Sequence, residues 1–114
     1  MNSSNSIELP KALLTVLNQL YELEQKLKRQ GDPSTTQRNI MKMKDAFEEM
    51  GLYYEDPMSQ TFNETRSDLE ANISGPKTDN LVVVEVIKPI IRHGSRAYSR
   101  VVQKGIVVVE SAVK

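Results

Sequence analysis

Two stretches decide the fold: Leu81-Val82-Val83-Val84-Glu85-Val86-Ile87-Lys88 and, after an arginine-rich interval, Ile106-Val107-Val108-Val109. Branched side chains at this density favour strands, because they fit a pleated surface better than a helix. Val82, Val84 and Val86 alternate with Val83, Glu85 and Ile87, the pattern of a strand buried mostly on one side and partly on the other. Pro89 ends that ladder, since it has no N–H to donate. His93-Gly94-Ser95 reads as a turn. Ala97 to Gln103 and Ile106 to Ser111 read as the next strands, with a tight turn at Lys104-Gly105.

Upstream the period changes to that of a helix. Leu9, Leu13, Val16, Leu20, Leu23 and Leu27 form an a/d heptad seam over a helix expected from Ile7 to Gln30. Leu14, Leu17 and Tyr21 make a second stripe beside it, and Pro10 suits the first turn. Gly31-Asp32-Pro33 stops this helix, and Ser34, Thr35 or Thr36 caps a second one carrying Ile40, Met43, Phe47 and Met50. Gly51 is its C-cap, with Leu52 folding back on the last turn. Two adjacent stripes make a face wide enough for a four-helix bundle, which a dimer of two hairpins would complete. The alternative is that the hairpin packs on its own β module. The fold class expected is therefore α+β, an N-terminal helical hairpin completing a four-helix bundle in a dimer, followed by a small all-β head. Residues 1–6 are expected to be disordered and 7–52 to form the hairpin and dimerisation region. Residues 53–80 are expected to be a linker with one short helix from Asn63 to Ala71, and 81–114 the β domain.

The 114 residues suit one small domain with an appended module, and 39% apolar content with no Trp makes for a thin core. With no cysteine, disulfide and thiolate chemistry are excluded and a reducing cytoplasm is the natural compartment. No signal-peptide pattern opens the chain and no apolar run reaches bilayer length. The net charge of zero conceals a dipole. Residues 1–76 hold 8 Lys/Arg against 12 Asp/Glu, a net −4, whereas 77–114 hold 7 against 3, a net +4. Such separation can steer a charged partner, and equally suits two halves that simply tolerate each other.

Catalytic constellations are missing from the pattern. His93 is the one histidine and sits in a turn, the glycines are scattered through turns, and Glu48-Glu49 and Glu55-Asp56 are neighbours that point different ways on a helix. Neither an enzyme nor a cofactor site is expected. The basic set Lys88, Arg92, Arg96, Arg100 and Lys104 has only Tyr98 among it for base stacking. Nucleic acid is accordingly a weaker candidate than a protein partner.

Four stretches in order resemble the GrpE family, the nucleotide-exchange factors of DnaK-type heat-shock chaperones. Leu13-Leu14-Thr15-Val16-Leu17-Asn18-Gln19-Leu20 is similar to the family's Leu-Leu-Pro-Val-x-Asp-x-Leu/Phe helix. Lys44-Asp45-Ala46-Phe47-Glu48-Glu49-Met50-Gly51-Leu52 looks like its second bundle helix, which ends in Gly-Val. Phe62-Asn63 stands where the family has Phe/Leu-Asp-Pro. Arg100-Val101-Val102-Gln103-Lys104-Gly105-Ile106-Val107-Val108-Val109 has the spacing of Arg-Val-x-Arg-Pro-Ala-x-Val-x-Val. Departures are Asn18 for the family's Asp, Glu22-Leu23 for Arg-Ala, Glu64 for Pro, Ser67 for His, Lys88-Pro89-Ile90 for Lys-Gly-Tyr, and Gln103-Lys104-Gly105 for Arg-Pro-Ala. About five extra residues, Ser95 to Ser99, lengthen the turn before Arg100.

The resemblance implies a cytoplasmic homodimer that binds the ATPase domain of a DnaK-type chaperone and promotes ADP release, meeting the adenyl nucleotide only through its protein partner. Lys88, Ile90, Arg92, Arg100, Val101 and Lys104 are the implied chaperone contacts. Leu9, Leu13, Val16, Leu17, Leu20, Leu23, Leu27, Ile40, Met43 and Phe47 are the implied dimer interface. A second reading keeps the scaffold without the activity, the head serving as an adaptor for another protein.

Overall fold

The computed structural model describes residues 9–31 and 35–113. The expected disorder of 1–6, the helix start at Ile7, the stop at Asp32-Pro33 and the cap at Ser34 lie outside them. The chain is α+β: helices α1 (Lys11–Gln30) and α2 (Thr35–Glu49) precede six strands. These are β1 (Leu52–Glu55), β2 (Leu69–Ile73), β3 (Leu81–Lys88), β4 (Ile90–Gly94), β5 (Ser99–Gln103) and β6 (Gly105–Ser111).

Pro10 occupies the N-cap of α1 rather than its first turn. The helix ends at Gly31, whose φ of +64° is cheap only for glycine and lets its N–H reach the Lys28 carbonyl at 3.1 Å. Lys28 and Arg29 in the last turn suit the negative end of the helix dipole. Past α2, the Gly51 N–H bonds the Glu48 carbonyl at 2.9 Å at φ +80°. Leu52 opens β1 and is buried with Leu17 and Ile91, in the cluster on which Phe47 of the last turn of α2 also packs.

Two three-stranded sheets form the head, in orders β1-β4-β5 and β2-β6-β3. All pairings are antiparallel except β2 with β6, which is parallel. Burial on β6 alternates strictly, with Gly105, Val107 and Val109 inside. Leu69, Leu81, Val83 and Ile90 join them in the core between the sheets. The chain crosses from one sheet to the other at Pro89, which is fully buried, and back at Lys104.

The head is thus larger than residues 81–114. Residues 53–80 are not a linker: they supply most of β1 and all of β2, one strand to each sheet. The helix expected from Asn63 to Ala71 does not form. Asn63 Oδ1 accepts the Thr65 N–H at 2.9 Å and the Thr65 hydroxyl, closing a side-chain turn. Arg66 then forks onto Asp68 and reaches Gln60, holding the chain outside helical dihedrals. Leu69-Glu70-Ala71 consists of good helix formers, but pairing with β6 overrides propensity. β4 occupies residues read as the end of a ladder and a turn, and β5 starts at Ser99 rather than Ala97.

The residues expected at the dimer interface are divided among three environments. Leu9, Leu13, Leu17 and Phe47 pack on the β1-β4-β5 sheet with Leu52, Ile91 and Val102. Leu20 and Leu27 pack on Ile40 across the hairpin. Val16, Leu23 and Met43 remain exposed, together with Met50, at 42–55%. Seven of the ten expected dimer contacts are therefore occupied within the chain, because the sheet offers an apolar face to the second stripe.

A candidate protein-docking surface

Sheet register sorts the basic residues of the head. On β4, Arg92 lies between Tyr53 of β1 and Val101 of β5. Its Nε donates to Glu55 at 2.6 Å, and its Nη2 to Asp68 at 3.3 Å. Asp68 also takes the fork of Arg66 at 2.9 Å and 3.0 Å. The Arg66 hydrogen bond, aided by the nearby Arg92 charge, holds the Asp68 carboxyl below the usual carboxylate range. The hydrogen bond and charge of Glu55 raise the Arg92 guanidinium above its ordinary value. Arg92 ties β4 to β1 and to the turn before β2, so its expected place as a partner contact is corrected to an internal brace. Ile90, 1% exposed, belongs to the core, and Val101 packs against that core. A hydrophobic side chain at a sheet crossing is drawn inside, which a reading by motif position alone misses.

Lys88, Lys104 and Arg100 do reach the surface. Lys88 and Lys104 flank the two crossings between the sheets. The Gln103 amide holds those crossings together by donating to the Pro89 carbonyl at 2.9 Å. The same amide pairs reciprocally with Asn18 of α1, each donating to the other at 2.9 Å. Residues 85 positions apart thereby lock the stalk to the head beside this basic end. Arg100 lies farther along β5, opposite His93.

The lengthened tip is braced. Gly94 takes φ +136°, and a Cβ there would lie 2.3 Å from the Tyr98 carbonyl oxygen. Ser95 accepts the Tyr98 N–H at 3.0 Å and its own N–H bonds the Tyr98 carbonyl at 2.9 Å. The Arg96 guanidinium sits 4.0 Å from the Tyr53 ring centre and pairs with Glu48 at the end of α2. These contacts hold the turn against the hairpin and leave Tyr98 86% exposed. In the sequence the signal for Tyr98 is its place as a lone aromatic between Arg96 and Arg100.

A second junction fastens the helices to β1. The Tyr54 hydroxyl donates to Glu24 at 2.7 Å, Lys44 Nζ pairs with Glu24 at 3.1 Å, and Tyr21 meets Tyr54 edge-on at 5.5 Å. Burial works against the Glu24 charge, but the Tyr54 and Lys44 hydrogen bonds outweigh it and its pKa is lowered. Burial raises both tyrosine hydroxyls, Tyr21 with help from Asp56 and Tyr54 from Glu24.

Among the described residues, no three His, Cys, Asp or Glu side chains gather where a metal ion could sit. None of the described helices is long and apolar enough to cross a membrane. What the head offers is a braced surface with exposed cations, Lys88, Lys104 and Arg100 among them, and the exposed ring of Tyr98, suited to protein contact. No family model, curated protein or solved structure matches this chain.

Proposed function

We propose that this chain is a divergent GrpE-type exchange factor, a cytoplasmic co-chaperone without catalysis or cofactor of its own. The carrying observation is that Asn18 and Gln103, which replace the Asp and Arg of two separate family motifs, hydrogen-bond to each other. Two motif positions matched independently along the sequence are partners in space. The order of parts, a helical hairpin followed by a small β head, supports the same reading.

In this reading Lys88, Lys104 and Arg100, with Tyr98 as an aromatic anchor, meet the ATPase domain of a DnaK-type chaperone. The head must bind the open conformer better than the closed one, since only differential affinity shifts a population. Moving from mostly closed to mostly open takes roughly 5 kcal/mol of that preference, after which ADP leaves an incomplete site. Dimerisation uses the exposed remainder of the hairpin. Val16 and Leu23 share one face of α1, two turns apart, and Met43 on α2 and Met50 just past its end are exposed as well. They flank the Leu20–Leu27–Ile40 seam, and a second hairpin laid on them completes four helices.

The test is release of fluorescent ADP from a DnaK-type ATPase domain, run with a molecular-mass measurement. Acceleration that Lys88→Glu with Lys104→Glu abolishes at unchanged mass is the expected result; release unaffected by the wild-type chain refutes the reading. The braced tip, built on residues Ser95 to Ser99 that the family lacks, favours a second reading as an adaptor for another protein. A partner captured through Tyr98 that is indifferent to nucleotide would establish it.

A further inference from the structure

An open groove of about 590 Å³ runs between the C-terminal half of α1 and β3, lined by Tyr21, Glu22, Lys26 and Arg29 on one side and by Met58 and Val84 to Ile87 on the other. Its apolar wall is built by an irregularity. β3 loses register with β6 between Val83 and Glu85 and again between Val86 and Lys88, so Val84 and Ile87 are the extra residues of two bulges. A bulge re-aims the side chain of its extra residue. Both line the groove beside Met58, and all three are 40–51% exposed. The flexible thioether of Met58 adapts to varied apolar partners.

The α1 wall carries Glu22 beside Lys26 and Arg29, a net +1, against a net −2 from Asp56 and Glu85 on the facing wall. Lys26 and Arg29 stand on α1, and no ion pair among the described residues engages them. Asp56 and Glu85 stand on the opposite side. We propose that this groove is a docking site for an amphipathic polypeptide segment that lays apolar side chains on Met58, Val84 and Ile87 and aligns carboxylates with Lys26 and Arg29. Asp56 and Glu85 repel a carboxylate edge presented the other way round, so the same charges set the segment's direction. Lys88, Lys104 and Tyr98 are not among the residues that line it, and it does not depend on the exchange reading.

The probe is a fluorescein-labelled synthetic peptide with leucine on one face and glutamate along one margin, beside a counterpart with lysine for glutamate. Anisotropy should show the acidic peptide binding the full chain more tightly. Val84→Ser with Ile87→Ser should weaken it roughly tenfold or more, since each 1.4 kcal/mol of lost apolar burial is tenfold. Lys26→Glu with Arg29→Glu should reverse the preference between the peptides. Amide NMR shifts should change along α1 from Glu22 to Arg29 and along β3 from Val84 to Ile87. Equal binding of both peptides, no binding, or shifts confined to the Val16–Leu23 face overturns the proposal. A mass that falls in the Val84→Ser, Ile87→Ser variant also overturns it, because a second copy would then be the occupant. Circular dichroism of each variant separates lost binding from lost fold.

Discussion

Replacing Arg92 tests whether the head is held by its ionic brace or only by its apolar core. Its side chain is 23% exposed, and it meets Glu55, 40% exposed, and Asp68, 16% exposed. A hydrogen bond to a charged partner contributes about 1.5–3 kcal/mol when desolvated. Solvent reduces the Glu55 contact to about 1 kcal/mol or less, as for exposed pairs. Asp68 keeps the Arg66 fork after Arg92 is lost, so it is not left alone. Arg92→Met should then cost about 2 kcal/mol. Arg92→Glu adds a carboxylate facing two others, each contact worth up to about 4 kcal/mol at an effective dielectric near 20 and a 4 Å separation. Allowing for relaxation, roughly 4 kcal/mol is expected, a large part of the 5–15 kcal/mol typical of a domain. Urea unfolding followed by near-ultraviolet circular dichroism measures both, with Lys104→Met as the exposed comparison at under about 0.5 kcal/mol. If Arg92→Met costs no more than Lys104→Met, the brace contributes nothing and the reasoning fails. Lost partner binding in an Arg92 reversal would equally reflect an unfolded head.

Four further outcomes follow from the same contacts. Gly105→Ala places a Cβ 2.8 Å from Leu69 Cδ2 and 3.0 Å from Ile90 Cγ1, so denaturant titration should show about 1–3 kcal/mol lost to overpacking. Gly94→Ala should cost at least as much, because its clash is with backbone at positive φ and cannot be relieved by rotating a side chain. Asn18→Ala should cost about 1–2 kcal/mol and Gln103→Ala more, since Gln103 also holds Pro89, with a coupling near 1 kcal/mol in the double-mutant cycle; strict additivity would mean the amides do not act as a pair. Glu24 and Asp68 both have lowered pKa values, so their stabilisation is complete above the ordinary carboxylate range near pH 4 and is lost as pH falls through the lowered values. Melting temperatures should therefore drop on the acid side, and Glu24→Gln should flatten that drop; an unchanged acid limb refutes it.

The valine runs made β3 and β6 legible because alternation and branching agree there, and the leucine spacing did the same for both helices. β2 was hidden because Leu69-Glu70-Ala71 is locally helical and becomes a strand only by lying parallel to β6, a contact between distant residues. β4 was hidden because Pro89 looks like a terminus, whereas it is the corner at which one strand passes into another sheet. Among the site residues, Lys88, Lys104 and Arg100 reach the surface. Arg92 is claimed by Glu55 and Asp68, and no local pattern links those three positions. The groove could not be read from sequence, since bulges depend on how two strands slip past each other.

The placement of β6 at the centre of its sheet bears on how the chain comes to be folded. It follows both of its neighbours in the sequence, so during synthesis β2 and the valine-rich β3 emerge with no central strand to receive them. The contacts of α1 with α2 are local in sequence and can form first, while the head must wait. In that interval β3 presents a sticky, unpaired edge open to wrong pairing.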